Sequence, residues 1–254
     1  SQLTYAWLLA GLPLALFGMA LSTAVFPALA GHVADEDMDA LRTTVSRVLR
    51  VIMFLTVPAA IGLAMLRDPA TIVLLEHAEF TRIDSVFTAS ALGWYCLGIV
   101  PQAGIEIHSR GFYALGDTRT PVALAVAAVV VNLVLSGLLW GRYGHEGLAF
   151  SVSAASWLEW AVLYRLYAQR TAASVAADLR AMATVAVCGA GMALFLAVGL
   201  APMEQGSWDE NLVVAVAGAA AGAAVYAGLA NLLHVEEIGE AVRRVSARFS
   251  RPAA

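Results

Sequence analysis

Residues 121–140 read PVALAVAAVVVNLVLSGLLW and contain no charged side chain. A helix that crosses the hydrocarbon core of a bilayer needs about 20 predominantly apolar residues, and this stretch has that length. Proline at its start suits the first turn of a helix, where the missing backbone N–H would have no helical partner. The stretch therefore predicts a transmembrane helix, and the same criterion divides the rest of the chain.

Six further stretches meet this criterion on either side of the first. They cover residues 3–30, 51–66, 85–105, 147–167, 181–202 and 212–233. The first is longer than one bilayer crossing, so we expect it to tilt or bend, with Pro13 and Pro27 as the bend points. Because the connections are short, neighbouring helices should pack antiparallel. The predicted fold class is all-α: a polytopic helical membrane protein with about seven transmembrane helices.

The composition excludes several classes of function. Hydrophobic residues make up 60% of the 254 residues and charged residues 13%, whereas soluble domains have about 45–50% and 25%. All 15 basic residues are arginine, and without lysine neither a P-loop ATPase nor Schiff-base catalysis is available. A net charge of −4 argues against nucleic-acid binding. The two cysteines and five histidines lack metal-ligand spacing, so we expect a transporter rather than an enzyme, with no metal and no cofactor.

The arginines predict the orientation in the membrane. If the seven helices alternate in direction, twelve arginines fall on one side and three, Arg67, Arg82 and Arg142, on the other. Cytoplasmic loops carry the excess of basic residues, so the first side and the C-terminus should be cytoplasmic. The N-terminus would then lie outside, although the chain starts in an apolar helix without a signal sequence. We therefore expect that helices of a longer protein precede it.

Two segments outside the spans have helical patterns. Residues 35–50 carry apolar side chains at helical spacing behind Asp35, Glu36 and Asp37, which predicts an amphipathic helix at the level of the lipid headgroups. Residues 236–254 combine apolar positions with arginines and predict a cytoplasmic amphipathic tail on anionic membrane lipids. The domain organisation is then 1–168 with five spans, 169–235 with two spans, and the tail.

Two local signals predict helix starts. Thr81 and Asp84 have the spacing of a capping box, in which the side chain of each residue accepts a hydrogen bond from the backbone N–H of the other. Thr120 followed by Pro121 predicts a second start, with Thr120 as the N-cap.

Four polar residues are candidates for a substrate path. Glu159 is the one carboxylate well inside a span, where an ionisable group is costly and usually faces a cavity or a partner. Asn132 is a weaker candidate, since an amide in a span often joins two helices. Glu106 and Arg110 are four residues apart, which suits an ion pair on a helix. Arg110 either completes a helix-end salt bridge or awaits an anionic headgroup, and these alternatives remain open.

The segment 110–121, RGFYALGDTRTP, resembles the FYAxxDTxTP loop of the MurJ/MviN lipid II flippases, in the MOP exporter superfamily. This resemblance singles out Phe112, Tyr113, Asp117, Thr118, Thr120 and Pro121. The first span is similar to the family's eighth helix at Tyr5, Pro13, Gly18, Thr23 and Pro27. Residues 75–81, LEHAEFT, resemble its FExGxFT segment. The likeness extends over the whole chain, as helices eight to fourteen of a fourteen-helix protein.

The resemblance implies a function. The family flips lipid II, a peptidoglycan precursor linked to undecaprenyl pyrophosphate, across the bacterial inner membrane by alternating access between two lobes. Residues 1–168 would belong to the second lobe, and 169–235 would border a hydrophobic groove suited to the lipid tail. The expected partners are lipid II, membrane lipids and the N-terminal lobe. Trp7 and Leu8 stand where many members have an acid–arginine pair. Two alternatives remain: a flippase for another lipid-linked oligosaccharide, and a non-transporting membrane scaffold.

Overall fold

The computed structural model describes residues 2–76, 81–173, 175–200 and 207–233, and within these ranges every regular element is helical. The elements are α1 (Gln2–Pro13), a π-helical turn (Leu14–Met19), α2 (Ala20–Ala34), α3 (Met38–Met65), α4 (Arg67–Leu75), α5 (Arg82–Ala114), α6 (Arg119–Thr171), α7 (Val175–Leu200) and α8 (Trp208–Leu232). The predicted basic tail and most of the 75–81 segment lie outside the described residues. The sequence did not predict the short α4, which packs between α5 and α8.

The described helices make seven crossings. Six are long and apolar enough to span a membrane, and α6 contains two of the predicted spans. Its backbone reverses at Gly144, where φ is 53° and ψ is −131°, a conformation open to glycine because it has no Cβ. Arg170 at the end of α6 then lies 2.6 Å from Asp117, just before its start. Both ends of α6 therefore lie at the same end of the bundle, and the prediction of about seven transmembrane helices is confirmed.

The first crossing departs from α-helical geometry where Pro13 predicts it. The π-helical turn follows Pro13 directly, because proline offers no N–H to the helical ladder and a wider turn accommodates the loss. At Pro27 the α-helix continues. Gly18 is buried in the π-helical turn, and a Cβ built on it would lie 3.2 Å from the Cβ of Ala103. The first crossing therefore packs tightly against α5 at this point.

The predicted amphipathic stretch is helical from Met38 and leads directly into the second span, and its apolar face is buried in the bundle. Residues 38–65 form one unbroken helix, α3, and the side chain of Asp37 caps it by accepting a hydrogen bond from the Ala40 N–H. Leu41, Val45 and Leu49 are fully buried in the main core. The apolar face of this stretch packs against other helices rather than against lipid, because α3 extends beyond the span that hydropathy alone marked.

The closest helix pair is α5 with the second half of α6. Three glycines on α5 face three side chains that recur every seventh residue on α6: Ser153 over Gly98, Trp160 over Gly104 and Tyr167 over Gly111. A Cβ on any of these glycines would overlap the side chain that it faces. Small residues let membrane helices approach closely. This interface positions His108, Phe112 and the loop that follows them.

Helices α7 and α8 pack against each other and against α3. Cys188, Met192, Leu196, Tyr226 and Ala230 form their buried core. The Tyr226 hydroxyl donates a hydrogen bond to the Phe54 carbonyl on α3, at 3.0 Å. The two last helices are thereby fixed to the outer side of α3.

Candidate functional site

The loop between α5 and α6 is organised by one carboxylate. Asp117 accepts hydrogen bonds from the backbone N–H groups of Arg119 and Thr120, each at 3.0 Å, and from the Thr120 hydroxyl at 2.7 Å. The prediction that Thr120 is the N-cap is wrong, because α6 begins earlier, at Arg119, after the N-cap residue Thr118. Asp117 satisfies the free N–H groups of the first turn, and Pro121 needs no partner there.

Arg170 closes this loop from the opposite end of α6. Its guanidinium lies 2.6 Å from Asp117 and stacks over the Phe112 ring, with 5.6 Å to the ring centroid. Phe112 is fully buried and packs edge-on against Tyr167, whereas Tyr113 is half-buried. The hydrogen bonds from Thr120, with a smaller contribution from Arg170, hold the pKa of Asp117 below its usual range. Sequence reasoning missed Arg170 because it lies more than fifty residues along the chain.

The predicted pair of Glu106 and Arg110 forms, with 3.7 Å between the guanidinium and the carboxylate. Arg110 also donates a hydrogen bond to the Thr23 hydroxyl on α2, at 3.4 Å. Its Nε is buried and has no hydrogen-bond partner among the described residues. The structure thus brings together two candidates from α5 and one from the first crossing, and leaves part of the guanidinium unsatisfied.

An exposed apolar stripe leads along the first crossing to Thr23. It consists of Tyr5, Leu8, Leu12, Leu16 and Met19. Tyr5, Leu8 and Leu12 recur at α-helical spacing on one side of α1, and the exposed Leu16 and Met19 continue the apolar surface through the π-helical turn. Leu16 is 66% exposed, so the stripe is open along its length. The stripe is therefore an exposed apolar surface that ends near the Arg110 guanidinium, which contacts Thr23.

The two remaining candidates stay apart from this pair. Glu159 is half-buried, and no hydrogen bond or ion pair involves it within the described residues. Asn132 accepts a hydrogen bond from Ser136 on its own helix, at 3.3 Å, which satisfies the side-chain carbonyl oxygen locally. Nothing described joins either residue to Arg110.

A buried ionic cluster was not predicted. Asp178 in the first turn of α7 is paired with Arg50 on α3 at 3.2 Å, and it accepts hydrogen bonds from Ser46 and from the Tyr164 hydroxyl. Its side chain is 3% exposed and that of Arg50 is 27% exposed. The edge of the Tyr164 ring meets His108, whose Nδ1 lies 2.7 Å from the Gly104 carbonyl. One network therefore connects α3, α5, α6 and α7. No group of His, Cys, Asp and Glu in the described ranges is placed to hold a metal ion.

The contacts divide the bundle into two ends. At one end Arg170 meets Asp117, and Arg42 donates a hydrogen bond to the Ala172 carbonyl. At the other end Gln2 meets Asp84, which belongs to the predicted capping box with Thr81. His145 and Glu146, just after the reversal of α6, lie against the same half of α5. The described arginines are thus separated as the alternating topology requires, with Arg67, Arg82 and Arg142 on the second end.

Comparison with known proteins identifies relatives of the whole architecture. A family model described as lipid II flippase MurJ matches residues 1–216. A probable lipid II flippase MurJ of Vibrio cholerae is 36% identical over 165 residues, covering 65% of this chain and 31% of that protein. One of Rickettsia prowazekii is 26% identical over 240 residues, covering 92% and 47%. The solved structure of lipid II flippase MurJ in an inward closed conformation matches with a TM-score of 0.78 at 22% identity, covering 93% and 47%. The chain thus spans about a third to a half of the length of these proteins.

Proposed function

The chain belongs to the MurJ family of lipid II flippases, and from this premise we propose that it forms part of a transporter that flips lipid II across the bacterial inner membrane. The observation that carries the proposal is the extent of the match. The family model runs through residues 1–216, so it includes every crossing up to the beginning of α8 rather than one motif. The chemistry is movement of a lipid between leaflets, and no covalent bond changes.

We further propose that the arginine-rich end faces the cytoplasm. The excess of arginines at that end follows the positive-inside rule, and the arginines of the tail would lie on the same side. The C-terminus is then cytoplasmic, and the 110–121 loop with Asp117 and Arg170 lies at the cytoplasmic surface. In this orientation Arg110 is placed near the leaflet in which a lipid-linked precursor begins its crossing.

The first crossing is the proposed wall of the substrate path. Its exposed stripe offers apolar contact to a polyprenyl chain, and Arg110 at the end of the stripe offers a cation to a pyrophosphate. The Arg110 side chain is 31% exposed, although its Nε is buried. Because the relatives are two to three times as long as their matched parts, the opposite wall belongs to the part of such proteins that this chain does not match.

Depletion of the complete protein in its host tests the proposal. We expect lipid II to become inaccessible to an externally added enzyme that cleaves it, while its cellular amount rises. Arg110→Gln should fail to restore the outward-facing lipid II. Arg119→Gln is the matched control, because the Arg119 side chain makes no ion pair or hydrogen bond in the described part of the chain.

Two results would contradict the proposal. If outward-facing lipid II is unchanged on depletion while partner proteins are no longer recruited, the protein is a scaffold. If another lipid-linked oligosaccharide accumulates instead, the cargo is not lipid II. A different cargo would be consistent with Trp7 and Leu8, which are uncharged where many members of the family have an acid–arginine pair.

A further inference from the structure

The corner where α6 ends and α7 begins contains a cavity of about 420 Å³. Its walls are Tyr164, Arg165, Ala168, Gln169, Ala173 and Val175, and these six residues define the α6–α7 cleft. The chain turns at Ala172, which adopts a left-handed conformation with φ of 54°. This turn directs α7 away from the α6 axis instead of back along it.

Beyond the corner, α6 and α7 share almost no packing surface. Helix α6 packs on α5, whereas α7 packs on α3 and α8. The hydrogen bond of 3.2 Å from Tyr164 to Asp178 ties the two helices together at the apex. The cleft therefore opens from the arginine-rich end toward the middle of the membrane.

The sides of the cleft are apolar and exposed. Leu158 and Val162 precede Arg165 and Gln169 on α6 at spacings of four, three and four, so the four side chains lie on one helix face. On α7, Val175 and Leu179 are exposed one turn apart. These apolar surfaces suit lipid acyl chains, because within the membrane the helices are surrounded by the hydrocarbon of the bilayer.

The apex is cationic and polar. Arg165 is exposed and makes no ion pair or hydrogen bond within the described ranges. Its neighbours differ, since Arg50 is paired with Asp178 and Arg170 with Asp117. A guanidinium recognises phosphate through several parallel N–H donors, and the Gln169 amide beside it can donate as well. A basic pocket between membrane helices, at the level of the headgroups, is suited to an anionic lipid headgroup.

We propose that the α6–α7 cleft binds an anionic glycerophospholipid of the surrounding leaflet. The phosphodiester lies at Arg165 and Gln169, and an acyl chain follows Leu158 and Val162. The lipid fills the space between two diverging helices and so supports the position of α7 and α8 on the bundle. This site is separate from the stripe that ends at Arg110, so the inference does not depend on the cargo of the transporter.

Photo-crosslinking in vesicles tests the proposal on the complete protein. A photoreactive phenylalanine analogue at Leu158 reports which lipid occupies the α6 wall in vesicles with equal amounts of phosphatidylglycerol and phosphatidylcholine. We expect capture of phosphatidylglycerol in preference. Arg165→Gln should reduce that preference roughly fivefold, the effect of one basic residue near a membrane surface. Arg165→Lys should retain most of it, and Arg119→Gln, the matched control, should retain all of it.

Three outcomes would overturn the inference. Equal capture of the two lipids means that the cleft is merely lipid-exposed. An equal loss in Arg119→Gln and Arg165→Gln assigns the preference to surface charge in general. Competition by free phosphate or pyrophosphate, or preferential capture of an added polyprenyl pyrophosphate, assigns the cleft to a different ligand. Size-exclusion profiles establish that each variant remains folded.

Discussion

At the scale of single residues, Asp117 is the group whose chemistry is best defined. Its lowered pKa means that its contribution to folding is present above the usual pKa of aspartate, about 4, and is lost as the pH falls through the lowered value. We expect the protection factors of the amides in residues 115–120, taken relative to the intrinsic exchange rate at each pH, to be high at neutral pH and to fall only in more acidic solution. Asp117→Asn should have low protection factors at both pH values, because its neutral amide accepts weaker hydrogen bonds from Arg119 and Thr120 and loses the ionic contact with Arg170.

Thr118→Ala is the control for this prediction, since the Thr118 side chain makes no cap hydrogen bond. It should exchange like the native protein. Equal acceleration in both variants would show that any change in the loop, rather than loss of the carboxylate, is responsible.

In the complete protein we expect Asp117→Ala to impair transport more than membrane insertion, because a loop at a helix junction can set the balance between two states.

Glu159 is a carboxyl group without a described partner inside a crossing, and such a group costs free energy. We expect Glu159→Leu to raise the melting temperature and Glu159→Gln to leave folding and transport intact. Glu106→Gln provides the contrast, because it removes the partner of Arg110 and should lower the melting temperature. Lost transport in a normally folded Glu159→Gln protein would instead show that ionisation of this group is part of the cycle.

At the scale of the elements, the contact of α5 with α6 depends on glycine. In Gly104→Ala the new methyl group would overlap the Trp160 indole, and overpacking of this kind costs about 1–3 kcal/mol. We expect a lower melting temperature, which Trp160→Phe in the same protein should partly restore. Gly137→Ala has open space around it and should not lower the melting temperature. A neutral Gly104→Ala would mean that the two helices separate easily.

The ion pair of Asp178 and Arg50 holds α7 on the bundle. Asp178→Asn leaves Arg50 without its counter-ion. We expect the free energy of unfolding to fall by about 3 kcal/mol, which is the lower end of the range for breaking a buried ion pair, because Arg50 is partly exposed. Glu76→Gln, in the more exposed pair with Arg82, should cost less than about 1 kcal/mol. Equal stability of the two variants in urea denaturation would contradict the anchoring role of this ion pair.

At the scale of the whole molecule, the proposed orientation predicts which sites an impermeant thiol reagent can reach in intact cells. Cysteines are placed at Thr118 and Thr43, both exposed at the arginine-rich end, because Gly116 and Ala172 have positive φ. We expect these two to be shielded and a cysteine at Arg142 to react. The native Cys96 and Cys188 are buried and should remain silent. Reaction at Thr118 from outside would reverse the orientation.

The amino-acid sequence alone is enough to predict the crossings, the capping box of Thr81 and Asp84, the separation of the arginines and the loop motif around Asp117. These features are local: a run of about 20 apolar residues needs no partner to partition into a bilayer, and a cap is satisfied within its own turn. Three contacts are visible only in the folded bundle: Asp178 meets Arg50, 128 residues away, Arg170 closes the Asp117 loop, and α3 buries its amphipathic start. The position of Arg165 in an open cleft is likewise visible only in the fold. Such contacts join helices whose order and tilt follow from packing over their whole length, so no single segment encodes them.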